Sequence, residues 1–275
     1  MSLTRAVRSA TPQDPPSAAR RGVPAGVPGA TLRNVVALVV VLVVLIGWQL
    51  ATTVTGTSVT VLPSPTQILG QADWSAIASA AAHTLLATVL GFVIGNLVGL
   101  ALAIVITASR AISDIVYPLA VVIRSVPVVA LAPFIILVFG RGSSAATAVA
   151  ALIVFFPTLV NVVLGLRSVP AEVHELTAVI NASTVFEYTR IRIPFALPAF
   201  VSALKISAPN AVLGVMTAEW VLGGNGLGRL VVQSWLGLEV PTMWGGVIVS
   251  ALVAWLLFSA IGLAERTLLT WAVRT

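Results

Sequence analysis

Cysteine is missing from the 275 residues, which excludes disulfides and thiolate metal sites. Charge is nearly as scarce: Asp, Glu, Lys and Arg make up 9% of the chain, against 58% hydrophobic residues. The single lysine, Lys205, is followed by Ile206, so a glycine-rich phosphate loop ending in Lys-Ser or Lys-Thr cannot be built. There are two histidines, His83 and His174. The charge count given below puts them on opposite sides of a membrane, so no metal site is expected. Short strands alternating apolar and polar residues, the mark of a membrane barrel, do not occur.

What is present is apolar. A mean hydropathy of +1.06 describes more hydrophobic surface than one globule of this length can hide. Several runs reach the roughly 17–25 residues that a helix needs to cross a bilayer. The class is an all-α polytopic membrane protein with about six transmembrane helices. The net charge of +6 sits on arginines at the ends of apolar runs, so lipid headgroups and topology account for it and no nucleic-acid partner is implied.

Residues 1–33 hold five arginines and five prolines with little to bury, which reads as a disordered cytosolic arm and not a signal peptide. Residues 34–61 give the first span, about 34–51 with Trp48 near an interface, and the start of an external segment. Residues 62–275 form the core domain. Ser64-Pro65-Thr66-Gln67 has the pattern of a helix start, predicting a short surface helix with Trp74 dipping inward. A second span follows at 84–107. In it Ala87, Gly91, Gly95, Gly99 and Ala103 recur every four residues, leaving one face bare enough to pack against another helix.

The third span, 112–139, is interrupted by Pro118, Pro127 and Pro133 and carries Arg124. The fourth, 145–166, contains Pro157 and Asn161. The fifth, 196–221, carries Lys205, Asn210 and Glu219, and a glycine-rich turn follows at 223–228. The sixth covers 242–263. Charges inside spans are costly and therefore functional candidates. Arg124, Asn161, Asn210 and Glu219 are the candidates for a translocation path, Arg124 because an anionic solute would need such a group. Lys205 is expected to snorkel to the inner surface.

Counting cations orients the chain. With the N-terminus inside, the inner segments hold eleven arginines and the outer ones two, Arg141 and Arg229. Both termini then lie in the cytoplasm, as does the loop 168–195, which alone carries Glu172, Glu175, Glu187, Arg190 and Arg192. Pro170 suits a helix start, and Val173, Leu176, Val179 and Ile180 share one face of that helix. Asn181 tolerates the left-handed conformation found past a helix end. Thr184-Val185-Phe186-Glu187 predicts a second start. Two short kinked helices offering Leu176, Phe186 and Tyr188 would make a knob for a partner protein.

Residues 175–194 resemble the EAA loop of the membrane subunits of bacterial ABC importers, whose pattern is EAA, three residues, Gly, nine residues, then I-x-L-P. Glu175 takes the first position, Leu176 and Thr177 stand for the two alanines, Asn181 for the Gly, Ile191 for the Ile, and Ile193-Pro194 for the Leu-Pro. Leu62-Pro63-Ser64-Pro65, Gly91-Phe92, the segment from Arg124 to Pro127 and the turn 223–228 resemble the subgroup importing nitrate, sulfonates and taurine.

The resemblance implies a type I importer permease fold in the bacterial inner membrane. Glu175, Leu176, Thr177, Asn181, Phe186, Ile191 and Pro194 would couple to a cytosolic ABC ATPase, present in two copies. It further implies a second permease copy, an external binding protein, and ATP and Mg on the ATPase alone, with no cofactor on this chain. Two other classes compete. An ATP-independent carrier would normally carry inverted repeats, and the halves show no convincing one. An intramembrane enzyme lacks the necessary residue constellation.

Overall fold

A computed structural model describes residues 30–56, 61–108 and 126–268, together with residues 59 and 122. Arg124 and Pro118, and most of the expected arm 1–33, lie outside the described residues. Residues up to Gly47 form one compact unit and those from Trp48 onward another. Among the described residues only helices and turns occur, and five helices are long and apolar enough to cross a membrane. Of the third expected span, the described part is a 3-10 turn, Val128–Leu131, and an eight-residue helix α4, Ala132–Phe139, with Pro133 in its first turn.

The first helix, α1 (Ala30–Val54), is apolar almost throughout, and its side chains from Val35 to Ile46 are exposed. The short surface helix is α2 (Pro65–Gln71). The Ser64 hydroxyl accepts the Gln67 N–H at 3.3 Å, and the Gln67 side chain accepts the Ser64 N–H at 2.8 Å. A reciprocal cap of this kind satisfies donors that a seven-residue helix could not satisfy internally.

The next helix, α3 (Trp74–Ala108), has 35 residues, more than the roughly 20 that span a bilayer. Asp73 caps it: one carboxylate oxygen accepts the Ala76 N–H at 2.9 Å, the Ser75 N–H at 3.0 Å and the Ser75 hydroxyl at 2.7 Å. The Ala76 N–H, then the Ser75 hydroxyl, hold its carboxyl below the ordinary range. A depressed carboxyl lends stability that is present above its unfolded pKa and is lost as pH falls through the folded one. Amide exchange at Ser75 and Ala76 is therefore expected to quicken only below the ordinary carboxylate range; quickening at pH 5 would contradict the cap. Trp74 does not dip inward. The residue is 40% exposed and its Nε1–H donates to the Leu69 carbonyl at 3.0 Å, while Ile77 and Ala80 take the buried positions.

The helix α5 (Ser143–Leu166) is the centre of the core, with α3 on one side and α8 (Ile193–Leu222) on the other. The glycine stripe of α3 meets α5. A Cβ added at Gly91 would stand 2.5 Å from Ala150 Cβ and 2.7 Å from the Thr147 carbonyl, and one at Gly99 would stand 2.9 Å from the Phe155 carbonyl. At Gly95 it would fall on the Ala151 carbonyl. The other side of α5 is as close, since a Cβ on Gly165 would lie 2.8 Å from Ala199 Cβ and one on Gly214 2.7 Å from Ile153 Cδ1. Lipid supplies little hydrophobic drive between helices, so dispersion at this short range and polar ties hold them. The polar tie is Thr158, whose hydroxyl donates to Asn96 Oδ1 at 2.5 Å inside the seam. Two further helices, α9 (Leu227–Leu236) and α10 (Val240–Leu268), pack against α8 and α3.

Candidate functional site

The loop 168–195 leaves α5 at Arg167 and begins α6 (Ala171–Val179) directly after Pro170. Thr177 is its one buried residue, with its hydroxyl on the His174 carbonyl at 2.7 Å. It therefore faces the chain, and of the two residues standing for the alanines only Leu176 adds bulk outward. Leu176 (62%), Val179 (82%) and Ile180 (58%) are exposed, so the apolar row points away from the bundle. Glu175 is exposed beside them. Asn181 adopts φ 48°, and the Ala182 N–H reaches back to the Thr177 carbonyl at 3.0 Å, which stops the helix.

The second start differs from the sequence expectation. Its cap is Ser183, whose hydroxyl accepts the Phe186 N–H at 3.2 Å, so α7 (Thr184–Glu187) begins one residue earlier than a Thr184 cap would have it. Nor is α7 a separate short helix. It passes through a π turn, Tyr188–Arg192, into α8, making one continuous run from Thr184 to Leu222. Glu187, released from capping, accepts Arg192 Nε at 2.8 Å and Nη2 at 2.7 Å on one oxygen. His174 Nδ1 of α6 lies 3.1 Å from the same oxygen. The Arg192 guanidinium covers the Tyr188 ring at 4.9 Å. Val185 and Phe186 are exposed, and Ile191 and Pro194 are half-buried.

Of the residues expected along a path, Asn161, Asn210 and Glu219 are among the described ones. Asn161 donates to the Pro157 carbonyl of its own helix at 2.7 Å and is half-buried, as is Asn210. Glu219 is 3% exposed. Its carboxylate accepts the Thr84 hydroxyl and the Gly228 N–H, each at 2.9 Å, while Thr84 accepts the Leu227 N–H at 2.8 Å. It thus ties α8, α3 and the glycine-rich turn together. Lys205 does not simply snorkel: it pairs with Glu265 of α10.

Sequence reasoning missed these partners. Lys205 and Glu265 lie sixty residues apart, and Thr84 and Glu219 135 apart. At the end of the bundle away from the loop, Arg141 and Arg229 line a cavity of about 300 Å³ with Ser143, Asn225 and the glycine turns. Gly140 and Gly142 hold Arg141 between two left-handed backbones, φ 76° and 91°.

A bundle of close-packed apolar helices with a structured polar loop at one end is the architecture of a polytopic membrane protein. The chain belongs to the family of binding-protein-dependent transport system inner membrane components, whose model matches residues 95–268. It is 31% identical over 238 residues to the riboflavin transport system permease protein RibX of Chloroflexus aurantiacus, covering 85% of this chain and 88% of that one. It is 30% identical over 149 residues to the putative aliphatic sulfonates transport permease protein SsuC of Bacillus subtilis, covering 54% of each. Among solved structures it resembles an inward-facing form of the MetNI methionine ABC transporter at a TM-score of 0.54. There the identity is 22%, and 74% of this chain and 98% of that chain are covered. The protein is an ABC importer permease subunit with the type I fold, multi-pass in the inner membrane.

Proposed function

We propose that the chain forms the path for a small solute delivered by an external binding protein, and that α6 and α7 seat a separate cytosolic ATPase. Both termini lie on the side of that loop. Two copies of the chain pair in this reading, each holding one ATPase. ATP and Mg stay on the partner, in keeping with a chain whose one lysine cannot serve a phosphate loop.

The observation that carries the reading is the row Leu176, Val179, Ile180, Val185 and Phe186, exposed on a loop that also bears five charges. Lipid cannot cover a surface of that charge, and water is a poor neighbour for five exposed large apolar side chains on so short a loop. A protein groove suits both. Leu176→Arg is expected to lower copurification of the ATPase at least tenfold, and Glu175→Ala to remove most ATP-driven uptake. Normal uptake by both variants would count against the docking role.

For the solute, a sulfonate- or nitrate-like anion is supported by Arg141 and Arg229 converging on one cavity at the outer end, and by the likeness to the sulfonate permease. An uncharged ring compound is the second reading, supported by the longer match to the riboflavin permease. Competition of both solute types for uptake by the assembled transporter separates them.

A further inference from the structure

We propose that Glu187, Arg192 and His174 form a clasp that makes α6 and α8 move as one body, so that displacement of the docking helix reaches the membrane helix. The inference rests on the ATPase-docking reading above and names the positioning residues within it.

Three observations carry it. The first is the π turn itself. Five residues carry a side chain about 140° around an α-helix, so Glu187 and Arg192 would point to different faces of an ordinary one. The wider turn, closing i to i+5, brings Arg192 back over Glu187. The turn and the ion pair therefore depend on each other.

The second is the convergence on one atom. Arg192 gives two nitrogens to a single Glu187 oxygen, and His174 approaches it from the other helix. Charge-assisted bonds of this kind are the strong ones, and a guanidinium engaged through two nitrogens is fixed in direction as well. All three side chains are partly covered, Glu187 and Arg192 at 21% exposure and His174 at 39%, so solvent screens them less than an open surface pair.

The third is how little else binds α6 among the described residues. Thr177 is its only buried residue. The backbone joins α6 to α7 through Asn181, a left-handed hinge-like turn, so without the clasp a push on α6 could be absorbed by rotation there. With it, the docking helix is braced against the first turn of a run that continues to Leu222. On α6 the brace residue His174 and the exposed Leu176 are two residues, about 200°, apart, so they face different ways.

The test uses the full complex of permease, ATPase and binding protein in vesicles, measuring ATPase copurification and solute moved per ATP hydrolysed. Glu187→Gln is expected to keep the ATPase bound and to lower solute per ATP about tenfold. Exchanging the pair, Glu187→Arg with Arg192→Glu, is expected to recover at least a third of the coupling, which a general packing defect would not allow. His174→Ala leaves the ion pair in place and removes only the tie to α6; a fall of about threefold is expected. Unchanged coupling in Glu187→Gln and His174→Ala overturns the clasp. So does loss of ATPase binding in both, since the residues would then belong to the docking surface. If Glu187→Gln does not accumulate, His174→Ala decides alone. A wild-type complex holding no ATPase would sink the docking reading instead, and is read on the unaltered protein.

Discussion

Gly95→Ala is expected to cost most of the assembled permease, although it adds one methyl group. The added Cβ would land on the Ala151 carbonyl, and backbone cannot swing aside as a side chain can. The only relief is to move α3 and α5 apart. That separates Gly91 from Ala150, Gly99 from Phe155, and the 2.5 Å hydrogen bond between Thr158 and Asn96. Overpacking alone costs about 1–3 kcal/mol, and stranding a buried hydroxyl adds about 1–3 kcal/mol. Together these rival the whole stability of a marginal fold. The measurement is the melting temperature and yield of the purified protein, with Gly70→Ala as control because its Cβ would meet nothing within 4 Å. A Gly95→Ala protein melting with wild type would mean that the two helices do not close in the membrane as they do here.

Glu219→Ala is the second large effect. Removing the carboxylate strands the Thr84 hydroxyl and the Gly228 N–H in a site from which water is shut out. At about 1–3 kcal/mol for each stranded donor, the loss is about 2–6 kcal/mol. Glu219→Gln keeps one acceptor oxygen and is expected to lose about half as much, while Gly226→Ala, whose Cβ would collide with the same carboxylate, should resemble Glu219→Ala. The order of melting temperatures, wild type above Gln above Ala, checks this. If Ala melts above Gln, the site favours an apolar filling and the carboxylate is not what anchors the turn. The oxygens of Glu219 are engaged by Thr84 and Gly228 of the protein itself.

Much of the architecture was legible because its signals are local. Ser64-Pro65-Thr66-Gln67 writes out its own cap, Asn181 marks its own stop, and glycine every fourth residue can only be a bare helix face. Within the loop 168–195, the stop at Asn181 was legible because the residue type itself tolerates the left-handed turn it adopts. What could not be read depends on a neighbour or on local winding. Glu187 looked like a capping residue because T-x-x-E assumes α-helical geometry from Thr184. The cap lies at Ser183, and the π turn gives the carboxylate another partner. Thr177 looked outward because the motif places it beside Leu176, yet adjacent residues on a helix face different ways. Lys205 and Thr84 meet partners that no short-range pattern could indicate.

The central position of α5 also bears on the order in which the protein can be made. Its α3 face can close as soon as the ribosome has delivered α5, because Gly91, Gly95, Gly99 and Asn96 have already been inserted. Its α8 face, where Gly165 and Ile153 await Ala199 and Gly214, stays open until the loop and another whole helix have been translated. During that interval α5 shows a small-residue groove to whatever the insertion machinery holds beside it. The loop 168–195, lying between the two halves of this closure in sequence, is thus synthesised before α8 exists to pack beside it.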